Sequence, residues 1–152
     1  MYETILVGER NKFGRITLNK EPLNVMDIKM MEEINAALAD FKGKNLKGIV
    51  IDARGKAFSA GVDISDHKGE MVHEMISTFH GIFAHLQNYN SPTVALVNGA
   101  ALGGGCELAI FCDIVLASEK AKFGQPEIKV GVFPPVAAAL MPRLIPGRKA
   151  LE

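Results

Sequence analysis

The sequence carries no excess of charge of either sign: 17 lysines and arginines balance 17 aspartates and glutamates. That balance gives no support for a nucleic-acid or anionic-membrane surface. Cysteine is scarce. Cys106 and Cys112 are the two present. They lie six apart in one predicted helix, a poor spacing for a disulfide, and form no metal-ligand pattern with the four histidines. They read as small buried hydrophobes in a reducing compartment. No apolar run approaches the length that crosses a bilayer. Met1-Tyr2-Glu3-Thr4 opens no basic-then-apolar leader. A cytoplasmic location, without nucleic-acid or membrane partners, is the expectation. Nucleotide signatures are missing too. The glycine run ending at Gly105 lacks the Gly-Lys-Ser/Thr close of a P-loop and the Gly-x-Gly-x-x-Gly dinucleotide fingerprint. Ser59 has Ala57 rather than glycine two residues before it, which excludes the usual nucleophile elbow.

What is there fits one domain over residues 1–152, long enough for a real core. Its 48% hydrophobic and 22% charged content is ordinary for a globular chain. The chain is organised around residues 98–108. Thr93-Val94-Ala95-Leu96-Val97 reads as a buried strand. Gly103-Gly104-Gly105 lets the backbone turn and come close to another group. Cys106 to Phe111 reads as the start of a buried helix. Free N–H groups at that helix N-terminus would face an anion or developing negative charge. Glu107 sits one turn in.

Two short strands, residues 3–8 and 14–19, are expected first, with Asn11-Lys12-Phe13-Gly14 as the turn. Pro22 to Val25 is irregular. Asp27 has the place of an N-cap, and Ile28, Met31, Ile34, Leu38 and Phe41 follow at helical spacing up to Gly43. Residues 48–53 read as a buried strand, 54–56 as a turn and 57–64 as a small-residue loop. A second amphipathic helix carries Met71, Met75, Ile76, Phe79, Ile82, Phe83 and Leu86 on one face and stops before Pro92. His67, His73, His80 and His85 fall mostly along it and read as a solvated or satisfied face rather than a metal site. Beyond the central stretch, residues 113–117 read as another buried strand. Residues 123–128 read as short and extended, and 135–141 as a helix. Strands alternate with helices, so the class is α/β. Arg148 to Glu152 reads as the start of a further helix, from which a C-terminal continuation is expected.

Two constellations could carry chemistry. Glu107 and Glu127 are acids in apolar company, where a carboxylate needs a partner or a task. Two acids sharing a dry site can split into one base and one proton donor. Burial would raise both pKa values, whereas the helix N-terminus would lower that of Glu107. The plainer alternative, that each caps a backbone or pairs with Arg143, Arg148 or a lysine, stays open. The second constellation pairs Ser59-Ala60-Gly61-Val62 with Gly103-Gly104-Gly105. Each segment could present a backbone N–H to one oxygen, forming an oxyanion hole. Plain turn chemistry would use the same glycines.

Phe58-Ser59-Ala60-Gly61-Val62-Asp63-Ile64, the stretch from Asn98 to Leu108, and Phe123-Gly124-Gln125-Pro126-Glu127 together resemble the enoyl-CoA hydratase/isomerase (crotonase) family. The resemblance covers essentially the whole chain. It implies a spiral of ββα units and an acyl-CoA thioester substrate. It assigns the thioester oxygen to the N–H groups of Val62 and Gly104. It places the CoA site along Ala60 to Ser65, including Val62, Asp63, Ile64 and Ser65. Both glutamate positions used by family hydratases are filled, by Glu107 and Glu127, so hydration of a 2-enoyl-CoA is favoured. Glu107 would help activate water, and Glu127 would deliver a proton to the α-carbon. Double-bond isomerisation and non-catalytic acyl-CoA binding are the alternatives. No metal or redox cofactor is implied, and coenzyme A enters as part of the substrate. Family hydratases commonly carry a glycine-rich segment where this chain has Phe133-Pro134-Pro135-Val136-Ala137-Ala138-Ala139. With Pro22 to Met26, that segment looks like the branch acting on cyclohexa-1,5-diene-1-carbonyl-CoA in aromatic degradation. The family's C-terminal helical region, which builds homotrimers often paired into hexamers, is not represented in these 152 residues.

Overall fold

The computed structural model describes all residues except Met1, Lys68, Glu70 and Glu152, and all side chains of the others except those of Asp66, His67 and Val130. The expectation for the His67 side chain and for the chain end at Glu152 therefore lies outside the described residues. Strands β1 (Ile5–Arg10) and β2 (Phe13–Leu18) form an antiparallel hairpin. Its turn is Asn11-Lys12, both at positive φ (54° and 66°), the conformation a two-residue hairpin loop requires. Phe13 and Gly14, expected in the turn, are already paired.

Helix α1 (Ile28–Lys42) starts where Asp27 accepts a hydrogen bond from Met30 N–H at 2.9 Å. Asp27 also pairs with Lys20 Nζ at 2.5 Å. Partial burial pushes its carboxyl up, but the bonds from Lys20 and Met30 outweigh that and hold it below the ordinary aspartate value. Replacing Asp27 with alanine should cost about 1 kcal/mol at neutral pH. The group's folded pKa is depressed, so its contribution is present above the unfolded value and lost as pH falls. Urea unfolding of the two proteins should show the gap at pH 7 closing in acid.

The chain then makes three successive strand–strand–helix turns. The first contains β3 (Gly48–Ala53), β4 (Ala57–Ser59) and α2 (Met71–Gln87). The second contains β5 (Thr93–Val97), β6 (Ala100–Leu102) and α3 (Gly104–Phe111). The third contains β7 (Ile114–Ala117), β8 (Lys122–Gly124), a 3-10 turn over Pro126–Val130 and α4 (Pro135–Leu144). Helix α5 (Gly147–Leu151) follows. In each turn the first strand joins the five-stranded sheet β1-β2-β3-β5-β7 and the second joins the three-stranded sheet β4-β6-β8. This is the ββα spiral that the resemblance implied.

The core lies between α1, α2 and the larger sheet. Met30, Met31, Ile34, Leu38 and Phe41 meet Ile16, Leu18, Ile49 and Ile51, with Met75, Phe79, Ile82, Phe83 and Leu86 from α2. Met71 and Ile76, expected on that face, are exposed, as are His73 and His80. The face is therefore narrower than the apolar residues of the helix. Residues 57–59, expected as loop, form β4. Residues 122–124 pair as β8, and Pro126 then bends the chain into a 3-10 turn rather than an extended run. Strand β7 was expected to be buried. It is the edge of its sheet, with Ile114, Val115 and Leu116 at 38–58% exposure. An apolar strand implies cover on both faces, and no such cover occurs among the described residues.

Candidate active site

The three strands of the smaller sheet are parallel. Ser59 lies opposite Ala101, and Leu102 opposite Gly124. Residues just beyond each strand therefore leave the sheet at one end. These are Ala60 to Val62, Gly103 to Gly105, and Gln125 to Glu127. Carboxyl ends of parallel strands are where open α/β sheets gather ligands. The three segments carry the sequence signals, and the sheet register brings them together.

The first contact is between the glycines. A Cβ at Gly61 (φ 109°) would lie 3.1 Å from Leu102 O and 3.5 Å from the Gly104 nitrogen. The two segments thus lie backbone to backbone. Met26 N–H donates to Gly61 O, and Asp63 N–H donates to Met26 O, both at 2.9 Å. This parallel bridge uses the neighbours of Val62 and turns the Val62 N–H to the opposite side. Gly104 is the first residue of α3, so its N–H is among the four that a helix leaves without an intrahelical partner. Val62 packs directly on Gly104: a Cβ there would be 2.7 Å from Val62 Cγ2 and 3.0 Å from Phe79 Cζ.

The acids flank the same turn. Glu107 is 3% exposed, and its N–H donates to Gly103 O at 3.0 Å. Its Oε1 accepts from Ala137 N–H at 2.8 Å. That donor is in the first turn of α4, where Pro134 supplies no side-chain cap. The backbone-capping alternative is thus present for Glu107, and it fixes the carboxyl in place. Burial, reinforced by the charge of Glu127, pushes its pKa up to about 7 against the bonds from Ala137 and Val136. Glu127 approaches from the 3-10 turn. Its Oε1 lies so near Gly103 that a Cβ there would overlap it, and its Oε2 is buried without a hydrogen-bond partner among the described residues. Neither acid forms a salt bridge among the described residues. Burial also lifts the Cys106 thiol to about 11 and that of Cys112 to about 12, so both stay protonated and unreactive at neutral pH.

The loop from Ala60 to Ser65 is tied at several points. Ala60 N–H donates to Leu23 O at 2.9 Å. Asp63 Oδ1 accepts from Ser65 N–H at 2.9 Å and from Ser65 Oγ at 2.7 Å. Ile64 and Ser65 are exposed. Sequence reasoning missed Asn24 and the backbone of Ala137. Asn24 is fully buried at φ 49°. Its Nδ2 donates to Arg54 O (2.8 Å) and Ala57 O (2.9 Å), anchoring the entry to β4. Its place after Pro22-Leu23 marked an irregular stretch, with no signal of a buried anchor. The contact of Ala137 with Glu107 spans 30 residues and has no local signal.

The chain matches the model of the family described as enoyl-CoA hydratase/isomerase over residues 8–152. It is 46% identical over 136 residues to a probable enoyl-CoA hydratase of Rhizobium meliloti, covering 88% of this chain and 53% of that protein. It is 33% identical to cyclohexa-1,5-dienecarbonyl-CoA hydratase of Thauera aromatica, covering 84% of this chain and 50% of the relative. The crystal structure of an enoyl-CoA hydratase subunit from Geobacillus kaustophilus superposes with a TM-score of 0.88 at 35% identity, covering 99% of this chain and 60% of that one. The chain thus spans about half to three-fifths of the length of these proteins.

Proposed function

The chain belongs to the enoyl-CoA hydratase/isomerase family, and from that premise we propose that it adds water across the 2,3 double bond of an acyl-CoA thioester. One observation carries the reading. The backbone segments of Val62 and Gly104 meet at the turn that Glu107 and Glu127 flank. Two N–H groups would take the thioester oxygen and hold the charge of the enolate. Such donors act most strongly where water is excluded. Glu107, ionised, takes a proton from water as its oxygen bonds to C3. Glu127 passes a proton to the α-carbon of the enolate. The proton gained by Glu107 then replaces the one lost by Glu127, and the sum is one water added. Two acids favour hydration over isomerisation, which moves a proton without adding water.

The loop Ala60, Val62, Asp63, Ile64 and Ser65 is the proposed seat of the CoA portion, tied down by Leu23 and Met26. No metal or redox group enters this chemistry; coenzyme A comes with the substrate. A homotrimer or hexamer of the full-length form, in the cytoplasm, belongs to the same reading. A cyclic dienoyl-CoA is the second candidate substrate. It is favoured by the Phe133 to Ala139 segment, which puts Ala137 against Glu107, and by the Thauera aromatica relative. Crotonyl-CoA and cyclohexa-1,5-diene-1-carbonyl-CoA, offered side by side, separate the two. Loss of the conjugated thioester absorbance is expected with crotonyl-CoA. Faster loss with the cyclic substrate would choose the other branch, and a shifted double bond without a hydroxyl would replace hydration by isomerisation.

A further inference from the structure

Ser59 is fully buried at the end of β4 and touches both halves of the proposed oxyanion hole. Its Oγ accepts from Gly61 N–H at 3.1 Å and donates to Asn24 O at 2.8 Å. Both capacities of the hydroxyl are thus engaged within the protein. Its other side abuts the start of α3: a Cβ at Gly105 would lie 2.6 Å from both Ser59 Cβ and Ser59 O. Gly61, held by this hydroxyl, is the residue packed on Leu102 O and the Gly104 nitrogen. Asn24, the acceptor, is itself fixed through Arg54 O and Ala57 O. A rigid path therefore runs from the irregular segment at Asn24 through the Ser59 hydroxyl to Gly61 and Val62. The Ser59 backbone meanwhile sets how closely α3 approaches.

We propose that Ser59 is a positioning residue that fixes the separation and aim of the Val62 and Gly104 N–H groups. Resting on the oxyanion-hole reading, this role adds a side chain that touches no substrate. Ser59→Ala removes the hydroxyl at nearly constant volume and leaves Gly61 N–H without its acceptor. The donor at Val62 is then misdirected rather than deleted, so the loss in kcat should be smaller than the ~10²–10³ typical for a lost donor, about tenfold. KM should change little, because the ground-state carbonyl demands less of the donors than the enolate does.

The test uses cinnamoyl-CoA, whose absorption moves to longer wavelength when its thioester carbonyl is polarised. The unmodified chain should shift the band on binding. Ser59→Ala should bind with similar affinity and a smaller shift, and Ser59→Cys, which retains a weak donor and acceptor, should fall between. Asp27→Ala, a variant of stability alone, should keep the full shift. A Ser59→Ala protein with full shift and unchanged kcat would overturn the role, even if its melting temperature fell. Should Ser59→Ala not fold, a Ser59→Cys band and kcat equal to those of the unmodified chain would overturn it equally. No shift in the unmodified chain would refute the oxyanion hole beneath it.

Discussion

Exchanging Glu107 for glutamine should lower kcat by roughly 10²–10⁴ and, above neutral pH, make the folded chain more stable. The two effects have one cause. Burial keeps the carboxyl protonated to about pH 7 in the folded chain, whereas the unfolded chain releases the proton at the ordinary value of 4.5. Between those values the folded state binds more protons. Stability therefore falls as pH rises through the interval, and the penalty is complete above about pH 7. A shift of this size corresponds to roughly 3 kcal/mol. Glutamine carries no charge to desolvate, and its carbonyl can still accept from Ala137 N–H. Urea unfolding should show the variant ahead at pH 8 and level with the parent near pH 4.5. In kcat/KM the parent should show a rising limb near pH 7, as Glu107 ionises, that the variant lacks. Glu127→Gln should lose turnover to a similar degree, since an amide does not deliver the α-proton. Near-normal hydration by both variants would remove the two acids from the mechanism.

Gly103→Ala should lower turnover by at least about 10²-fold and destabilise the chain by roughly 2–4 kcal/mol. The backbone there has φ 52° and ψ −129°, outside the regions an L side chain occupies without strain. The added methyl would overlap Glu127 Oε1. The carbonyl of the same residue accepts from Glu107 N–H at 3.0 Å, so relief by backbone movement would displace the other acid. Gly8→Ala is the control. It lies in β1 with open space around it, and its effect should stay within about 0.5 kcal/mol. A Gly103→Ala protein that unfolds with the parent's midpoint and retains its kcat would show that the turn tolerates a side chain.

The elements with strong local signals were legible. Asp27 followed by Ile28, Met31, Ile34, Leu38 and Phe41 announces α1 and its cap, and the apolar run at 93–97 announces β5. In the smaller sheet, the extended reading of residues 123–128 caught β8 in part, whereas β4 and β6 were not legible. Each of these strands is three residues long, too short for a period to show. Composition and spacing left α/β architectures unresolved, and the three motifs together pointed to the ββα spiral. Residue types singled out Glu107, Glu127 and the two segments Ser59 to Val62 and Gly103 to Gly105, and the resemblance narrowed those segments to Val62 and Gly104. Their convergence comes from the register of β4, β6 and β8, which no local pattern encodes. Strand β7 misled because apolar residues signal a need for cover without saying what supplies it.

The central claim is that this arrangement of two donors and two acids adds water to an enoyl thioester. The most direct test is turnover of crotonyl-CoA in water enriched in oxygen-18, with the product examined by mass spectrometry. The account predicts 3-hydroxybutyryl-CoA carrying the heavy oxygen on C3. Binding without conversion, or a product in which the double bond has moved and no labelled oxygen is found, would contradict it.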